Sequence, residues 1–153
     1  MLKLKYDFKE SIGYSVAMAY RALRKALDAE LGHYGITFAQ WQVLASLALE
    51  GEVSQVKLAE LIGVEGPTLV RILDRMEQKG WIKRKVSSRD RRQKLIFPTK
   101  KVEGVWRKMT ECAHGVRSGA VKGISSKDVA NLQRLLGKIR ENLNEQFGTE
   151  NSV

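Results

Sequence analysis

The stretch Ser54 to Thr99, SQVKLAELIGVEGPTLVRILDRMEQKGWIKRKVSSRDRRQKLIFPT, decides how the rest of the chain is read. It divides into helix, turn, helix and a basic hairpin. Ser54 can cap the free amides of a first helix that carries Val56, Leu58, Ala59, Leu61 and Ile62. Gly63 stops that helix, because a glycine just past a helix end adopts the left-handed conformation at little cost. Gly63-Val64-Glu65-Gly66 then makes a tight corner, and a second helix opens at Pro67, a residue suited to the first helical position. Leu69, Ile72, Leu73 and Met76 follow at i, i+3, i+4, i+7 spacing and define a buried face.

The opposite face of the second helix carries Thr68, Arg71 and Arg75. An apolar side bound to its own domain and a polar side led by N-terminal residues suit a helix that enters the major groove of DNA. Arginine can fork onto a guanine edge, and a threonine methyl can touch thymine. Taken alone, this helix equally fits an amphipathic surface helix with solvated arginines. The segments after it separate the two. Gly80 ends the helix, and Trp81–Val86 and Lys94–Phe97 are short and rich in β-branched and aromatic residues. Ser87-Ser88-Arg89-Asp90-Arg91-Arg92-Gln93 joins them as a basic tip. A helix-turn-helix followed by such a hairpin is a winged helix, with arginines placed for phosphates or for the negative potential of a narrow minor groove.

The run Ile62-Gly63-Val64-Glu65-Gly66-Pro67-Thr68-Leu69-Val70-Arg71, continued by Leu73-Asp74-Arg75-Met76-Glu77-Gln78-Lys79-Gly80 and Asp90-Arg91-Arg92-Gln93-Lys94, resembles the MarR family of bacterial transcription regulators, and within it the SlyA subgroup. The resemblance spans nearly the whole chain. One departure is Ser87, where many family members have an acidic residue. The resemblance implies a mainly α (α+β) fold: a single domain over 1–153, with a winged helix-turn-helix DNA-binding lobe over 37–98 and dimerisation helices over 8–35 and 99–147. It implies a DNA-facing set of Ser54, Gln55, Pro67, Thr68, Arg71 and Arg75 in the helices and Arg89, Asp90, Arg91 and Arg92 in the wing. Thr68, Arg71 and Arg75 would face the major groove, and Arg91 with Arg89 the minor groove. Asp90 and Arg92 would hold the wing tip, since a carboxylate two positions from an arginine can orient its guanidinium.

Composition agrees with an anionic partner. The chain has 153 residues, enough for one domain with a core, and a net charge of +10. Between Ser54 and Lys101 stand thirteen Lys or Arg against five Asp or Glu, so eight of the ten net positive charges lie with the motif. No long apolar run marks a signal peptide or a membrane span, so the expected location is cytoplasmic, associated with the nucleoid, with no membrane partner. The single cysteine, Cys112, excludes an internal disulfide and reads as helix packing rather than a redox sensor. His33 and His114 sit in no nucleophile, metal or phosphate-loop motif, so no enzyme, metal or cofactor is expected.

Around the motif the pattern is helical. Ile12, Val16, Ala19, Tyr20, Leu23, Leu27 and Leu31 predict one helix from about Phe8 to Tyr34. Thr37-Phe38-Ala39-Gln40 is a capping box that opens a helix carrying Trp41, Val43, Leu44 and Leu47 and closing at Glu50-Gly51; Glu52 and Val53 suit a short edge strand. Thr99 caps a helix with Val102, Val105, Trp106, Met109, Ala113, Val116 and Ala120 as its stripe. After a break at Lys122-Gly123-Ile124, Ser125 opens a last helix whose Val129, Leu132, Leu136, Ile139, Leu143 and Phe147 approach a heptad spacing. Either the first helix of the same chain or a second copy can cover that stripe. The resemblance implies the second copy, a homodimer on near-palindromic double-stranded DNA. It also implies a cleft for a small anionic aromatic effector, with Arg21 and Arg24 for a carboxylate and Trp41 and Ala45 as an apolar wall, residues that equally suit plain surface and plain core. An architectural or counter-silencing DNA protein with little sequence preference shares the basic wing and is the alternative reading.

Overall fold

The computed structural model describes residues 7–88 and 90–148. Six helices and a small sheet follow one another in the order α1 (Ile12–Gly32), α2 (Phe38–Glu50), β1 (Val53–Ser54), α3 (Gln55–Ile62), α4 (Gly66–Gln78), β2 (Ile82–Val86), β3 (Lys94–Pro98), a 3₁₀ turn (Lys100–Val102), α5 (Glu103–Ala120) and α6 (Ser126–Phe147). The fold is a mainly α winged helix.

Local chemistry sets most of these boundaries. The capping box forms as expected: the Gln40 amide donates to the Thr37 hydroxyl at 3.3 Å, and the Gln40 side-chain oxygen accepts the Thr37 amide at 3.1 Å. Ser54 caps α3 by accepting the Lys57 amide at 3.2 Å. Gly63 takes the left-handed conformation, φ 67° and ψ 40°, and so turns the chain from α3 towards α4. Gly80, at φ 73°, does the same after α4, where the Trp81 amide donates to the Met76 carbonyl at 2.9 Å. Trp81 therefore closes the helix, and β2 begins one residue later than expected.

Two expectations shift for physical reasons. The first helix starts at Ile12 rather than near Phe8, because the Ser11 hydroxyl accepts the Tyr14 amide at 3.2 Å and caps it there. Val56 does not join the core and is 68% exposed. Leu58 and Ile62, one turn apart, are the residues of α3 that point inward, and Val56 lies about 200° around the helix from Leu58.

The sheet is antiparallel, in the order β1-β3-β2, with Ile96 of β3 paired to Val53 on one side and Arg84 on the other. Val53, Ile82 and Ile96 pack with Leu58, Leu69, Leu73 and Met76 into one core that also takes Leu31, Val43, Leu44 and Leu47 from α1 and α2. Val102, Met109 and Cys112 attach α5 to the same core, and Trp41 of α2 stacks on Trp106 of α5 with centroids 5.4 Å apart.

The terminal helices behave differently. No residue of α6 is buried, and Leu132, Leu136, Leu143 and Phe147 stand 40% exposed or more. Val16, Tyr20 and Leu23 of α1 are exposed as well, so folding back within the chain covers neither stripe.

The core analysis predicts unequal costs for two apolar truncations. Leu73→Ala, at a site with no solvent exposure, should destabilise the chain by about 2–5 kcal/mol in urea unfolding. Val56→Ser should change it by no more than about 0.5 kcal/mol.

Candidate nucleic-acid interface

The two-faced character of α4 is now a matter of geometry. Leu69, Leu73 and Met76 have no solvent exposure, which fixes the helix rotationally. Thr68, Arg71 and Arg75 consequently face solvent, and Pro67 stands exposed at the helix entrance. Ser54 and Gln55, half-buried, begin α3, where the Ser54 hydroxyl is engaged as the helix cap.

A contact that the sequence pattern did not reveal ties α4 to the wing. Arg84 of β2 reaches back to two carboxylates of α4: its Nη2 lies 2.6 Å from Asp74, and its Nε donates to Glu77 at 2.9 Å. Its backbone amide donates to the other oxygen of Glu77 at 3.1 Å. Glu77 thus accepts from one residue through both side chain and main chain. The hydrogen bond from Arg84 holds the Glu77 carboxyl below its usual range against the opposing effect of burial. Burial pulls the Arg84 pKa down, but its bonds to Glu77 and Asp74 outweigh this and leave it raised. The available signal was Asp74 and Glu77 at i, i+3 on one helix face, opposite an arginine in the following strand.

The wing tip is braced through its backbone. The Ser87 amide donates to the Gln93 carbonyl at 2.9 Å, and the Asp90 amide to the Ser87 hydroxyl at 3.3 Å. The Asp90 carboxylate accepts the Arg92 backbone amide at 2.9 Å, and no ion pair joins the two side chains among the described residues. An aspartate reaches the amide two positions on without the entropic cost of fixing a long arginine side chain. Arg91 and Arg92 are exposed, and Arg89 lies outside the described residues. Ser87, buried in the hairpin, supplies the hydroxyl at the position where the resemblance leads one to expect an acid.

The expected effector residues lie apart from this face. Arg21 is exposed on α1, while the Arg24 guanidinium sits 5.1 Å above the Phe38 ring. Trp41 is engaged with Trp106, and Ala45 is half-buried one turn along α2. A neighbouring concavity of about 450 Å³ is lined by Tyr34, Ile36, Val105, Arg107, Lys108 and Glu111, so it contains none of the four. Cys112 is buried, and burial raises its thiol pKa, as suits a packing residue.

A sequence model of the MarR family matches residues 34–93. The crystal structure of the transcriptional regulator PA3341 is 36% identical, with 89% of this chain and 100% of that one covered at a TM-score of 0.79. The chain belongs to the MarR family. A mutant of MarR from E. coli, complexed with operator DNA, is 28% identical over 88% of this chain and 99% of that one, at a TM-score of 0.69. BpsR of Bordetella bronchiseptica, whose DNA binding is regulated by 6-hydroxynicotinic acid, shares the fold at 20% identity, 90% and 98% coverage and a TM-score of 0.74. The MarR family, the helix-turn-helix and the wing together make this chain a DNA-binding transcription regulator of winged-helix type.

In this MarR-family chain the Arg84 brace is testable by mutation and by pH. Arg84→Ala should cost about 1–2 kcal/mol in urea unfolding at neutral pH, the low end for charged hydrogen bonds because both carboxylates remain near solvent. Because the folded pKa of Glu77 is depressed, its contribution is present above the ordinary value of 4.5 and lost as pH falls below it. Glu77→Gln should therefore lower stability at about pH 6 and flatten the acid side of the stability profile.

Proposed function

We propose that the chain acts as a homodimer on near-palindromic operator DNA and regulates transcription in a sequence-specific way. The observation that carries this reading is the exposed row Thr68, Arg71 and Arg75, held opposite three side chains with no solvent exposure. A helix fixed in that manner presents its polar face at a defined angle, as base reading requires. Arg71 and Arg75 would fork onto guanine edges and Thr68 would meet thymine, with Pro67 setting the helix entrance. Ser54 and Gln55 would lie against the phosphate backbone. In the wing, Arg91 with Arg89 would enter the adjacent minor groove, on a tip braced by Asp90 and the amide of Arg92.

The uncovered apolar stripes of α1 and α6 support the dimer. They leave Leu132, Leu136, Leu143 and Phe147 in water on one helix and Val16, Tyr20 and Leu23 on the other, and a second copy supplies a matching surface. Two tethered recognition helices would meet half-sites about one DNA turn apart, so each half-site contact can be weak by itself. An anionic aromatic effector would use Arg21 and Arg24 for its carboxylate and Trp41 and Ala45 as its wall. It would act through different affinities for two arrangements of the dimer. Work on an operator would place the protein beside the chromosome, and no described helix is long and apolar enough to cross a membrane.

Selection of bound sequences from random duplex DNA at near-physiological salt tests the reading. A near-palindromic consensus is expected, and Arg71→Ala should lose discrimination at defined bases by about 1–3 kcal/mol. Arg91→Ala should weaken binding to all sequences. Leu136→Glu should shift sedimentation from dimer to monomer and abolish tight binding. Absence of a consensus, with both arginine variants only flattening the salt dependence, would replace operator reading with architectural binding.

A further inference from the structure

A basic groove runs along β2 between the end of α4 and the 3₁₀ turn, and the contacts described so far leave its lysines unused. Its volume is about 670 Å³, and Lys83, Lys85, Lys100 and Lys101 line it. All four are exposed. The one carboxylate in the groove, Glu77, does not offset them, because one of its oxygens accepts the Arg84 amide and the other the Arg84 guanidinium. No ion pair or side-chain hydrogen bond engages any of the four lysines among the described residues.

Two of the lysines are held in place by their surroundings. The Lys85 ammonium lies 5.4 Å from the centroid of the Phe97 ring. A side chain at Gly80 would meet the Lys101 Cδ at 3.1 Å, so the stem of Lys101 lies close over that glycine. Like charges gathered in one concavity repel, and an anionic partner relieves that repulsion. What the groove offers such a partner is charge without direction. The fork of Arg84 is engaged by Asp74 and Glu77, and the Thr99 hydroxyl donates to the Gly80 carbonyl. The lysine ammoniums that remain act as point charges on flexible stems.

Undirected positive charge suits a partner with a repeated negative charge better than a compact anion held by directed bonds. An acidic peptide would dock by adding a strand to β2, but the Arg84 amide at the centre of that strand is already taken. Duplex DNA meets neither objection. β2 leads from the groove straight to the wing tip, and its five residues span about 16 Å, so the groove continues the basic surface that carries Arg91 and Arg92. We propose that the groove binds the phosphate backbone of the duplex outside the base pairs read by α4 and the wing. This inference rests on the operator reading above and adds to it a sequence-independent flank on each side of the operator. The flank tightens binding without changing which operator is chosen.

The test titrates the selected operator in two duplex lengths over a range of salt concentrations. The short duplex is the smallest on which Arg91→Ala still weakens binding, so that the wing is seated. The long one adds about 10 base pairs, one helical turn, at each end. The double variant Lys83→Gln/Lys100→Gln removes two exposed groove charges that make no bond within the fold. Lys122→Gln/Lys127→Gln removes the same charge at the exposed corner between α5 and α6, outside the groove. Wild type should bind the long duplex more tightly and with a steeper salt dependence than the short one. The groove variant should lose about tenfold in affinity on the long duplex and flatten its slope of log K against log salt by about 3–4, for two lysines in each of two protomers. It should match wild type on the short duplex, keep the same consensus and unfold at the wild-type temperature. Equal wild-type affinity and slope on the two lengths would overturn the inference. So would equal losses in the groove and corner variants, which would reduce the lysines to net charge. If selection enriched no consensus, the operator reading would fail and take this inference with it, a result distinct from a selected operator that is indifferent to length.

Discussion

The wing is useful only if its position relative to the recognition helix is fixed, and one guanidinium fixes it. Arg84 spans from β2 to Asp74 and Glu77 of α4, while the same residue's amide is held by Glu77. A planar fork suits this task better than a lysine, because it meets two carboxylates in set directions. The hairpin also carries Lys83, Lys85, Arg91 and Arg92, whose mutual repulsion favours splaying. Asp74 and Glu77 place two negative charges at the hinge of that cluster. The guanidinium thus ties helix and wing directly to each other.

The remainder of the lobe serves the same end by apolar packing. The inward row of α4 meets Ile82 and Ile96 of the sheet and Leu58 of α3, so one cluster sets the rotation of α4, the pitch of the sheet and the corner at Gly63. The terminal helices contribute little to this core. Their apolar surface is instead left facing outward.

Much of this was legible in the sequence because it depends on neighbours along the chain. The caps at Thr37, Ser54 and Ser125, the left-handed Gly63 and the apolar spacing of α4 are all interactions within a few residues. The features that escaped are of another kind. Arg84 finds its partners seven and ten positions away, on a different element, and its strand neighbours Lys83 and Lys85 have the same charge. Val56 belongs to a run of apolar residues in which spacing alone does not say which pair points inward. Asp90 bonds to a backbone amide instead of a guanidinium, a choice between two short-range options that chain conformation settles. The covering of α6 was undecidable because a stripe records that apolar residues gather on one face, not what that face meets.

The amide of Arg84 has a consequence beyond positioning the wing. Among the described residues β2 pairs only with β3 and so forms one edge of the sheet, with β1 at the other. An edge strand with free amides is a template on which another chain can add a strand, and proteins that leave one open risk aggregation. Here the amide at the middle of β2 is already taken by Glu77, and flanking Lys83 and Lys85 are exposed. The carboxylate that orients the wing thus also occupies the central outward amide of β2, and the two flanking lysines add charge to the same edge, which disfavours the addition of another strand there.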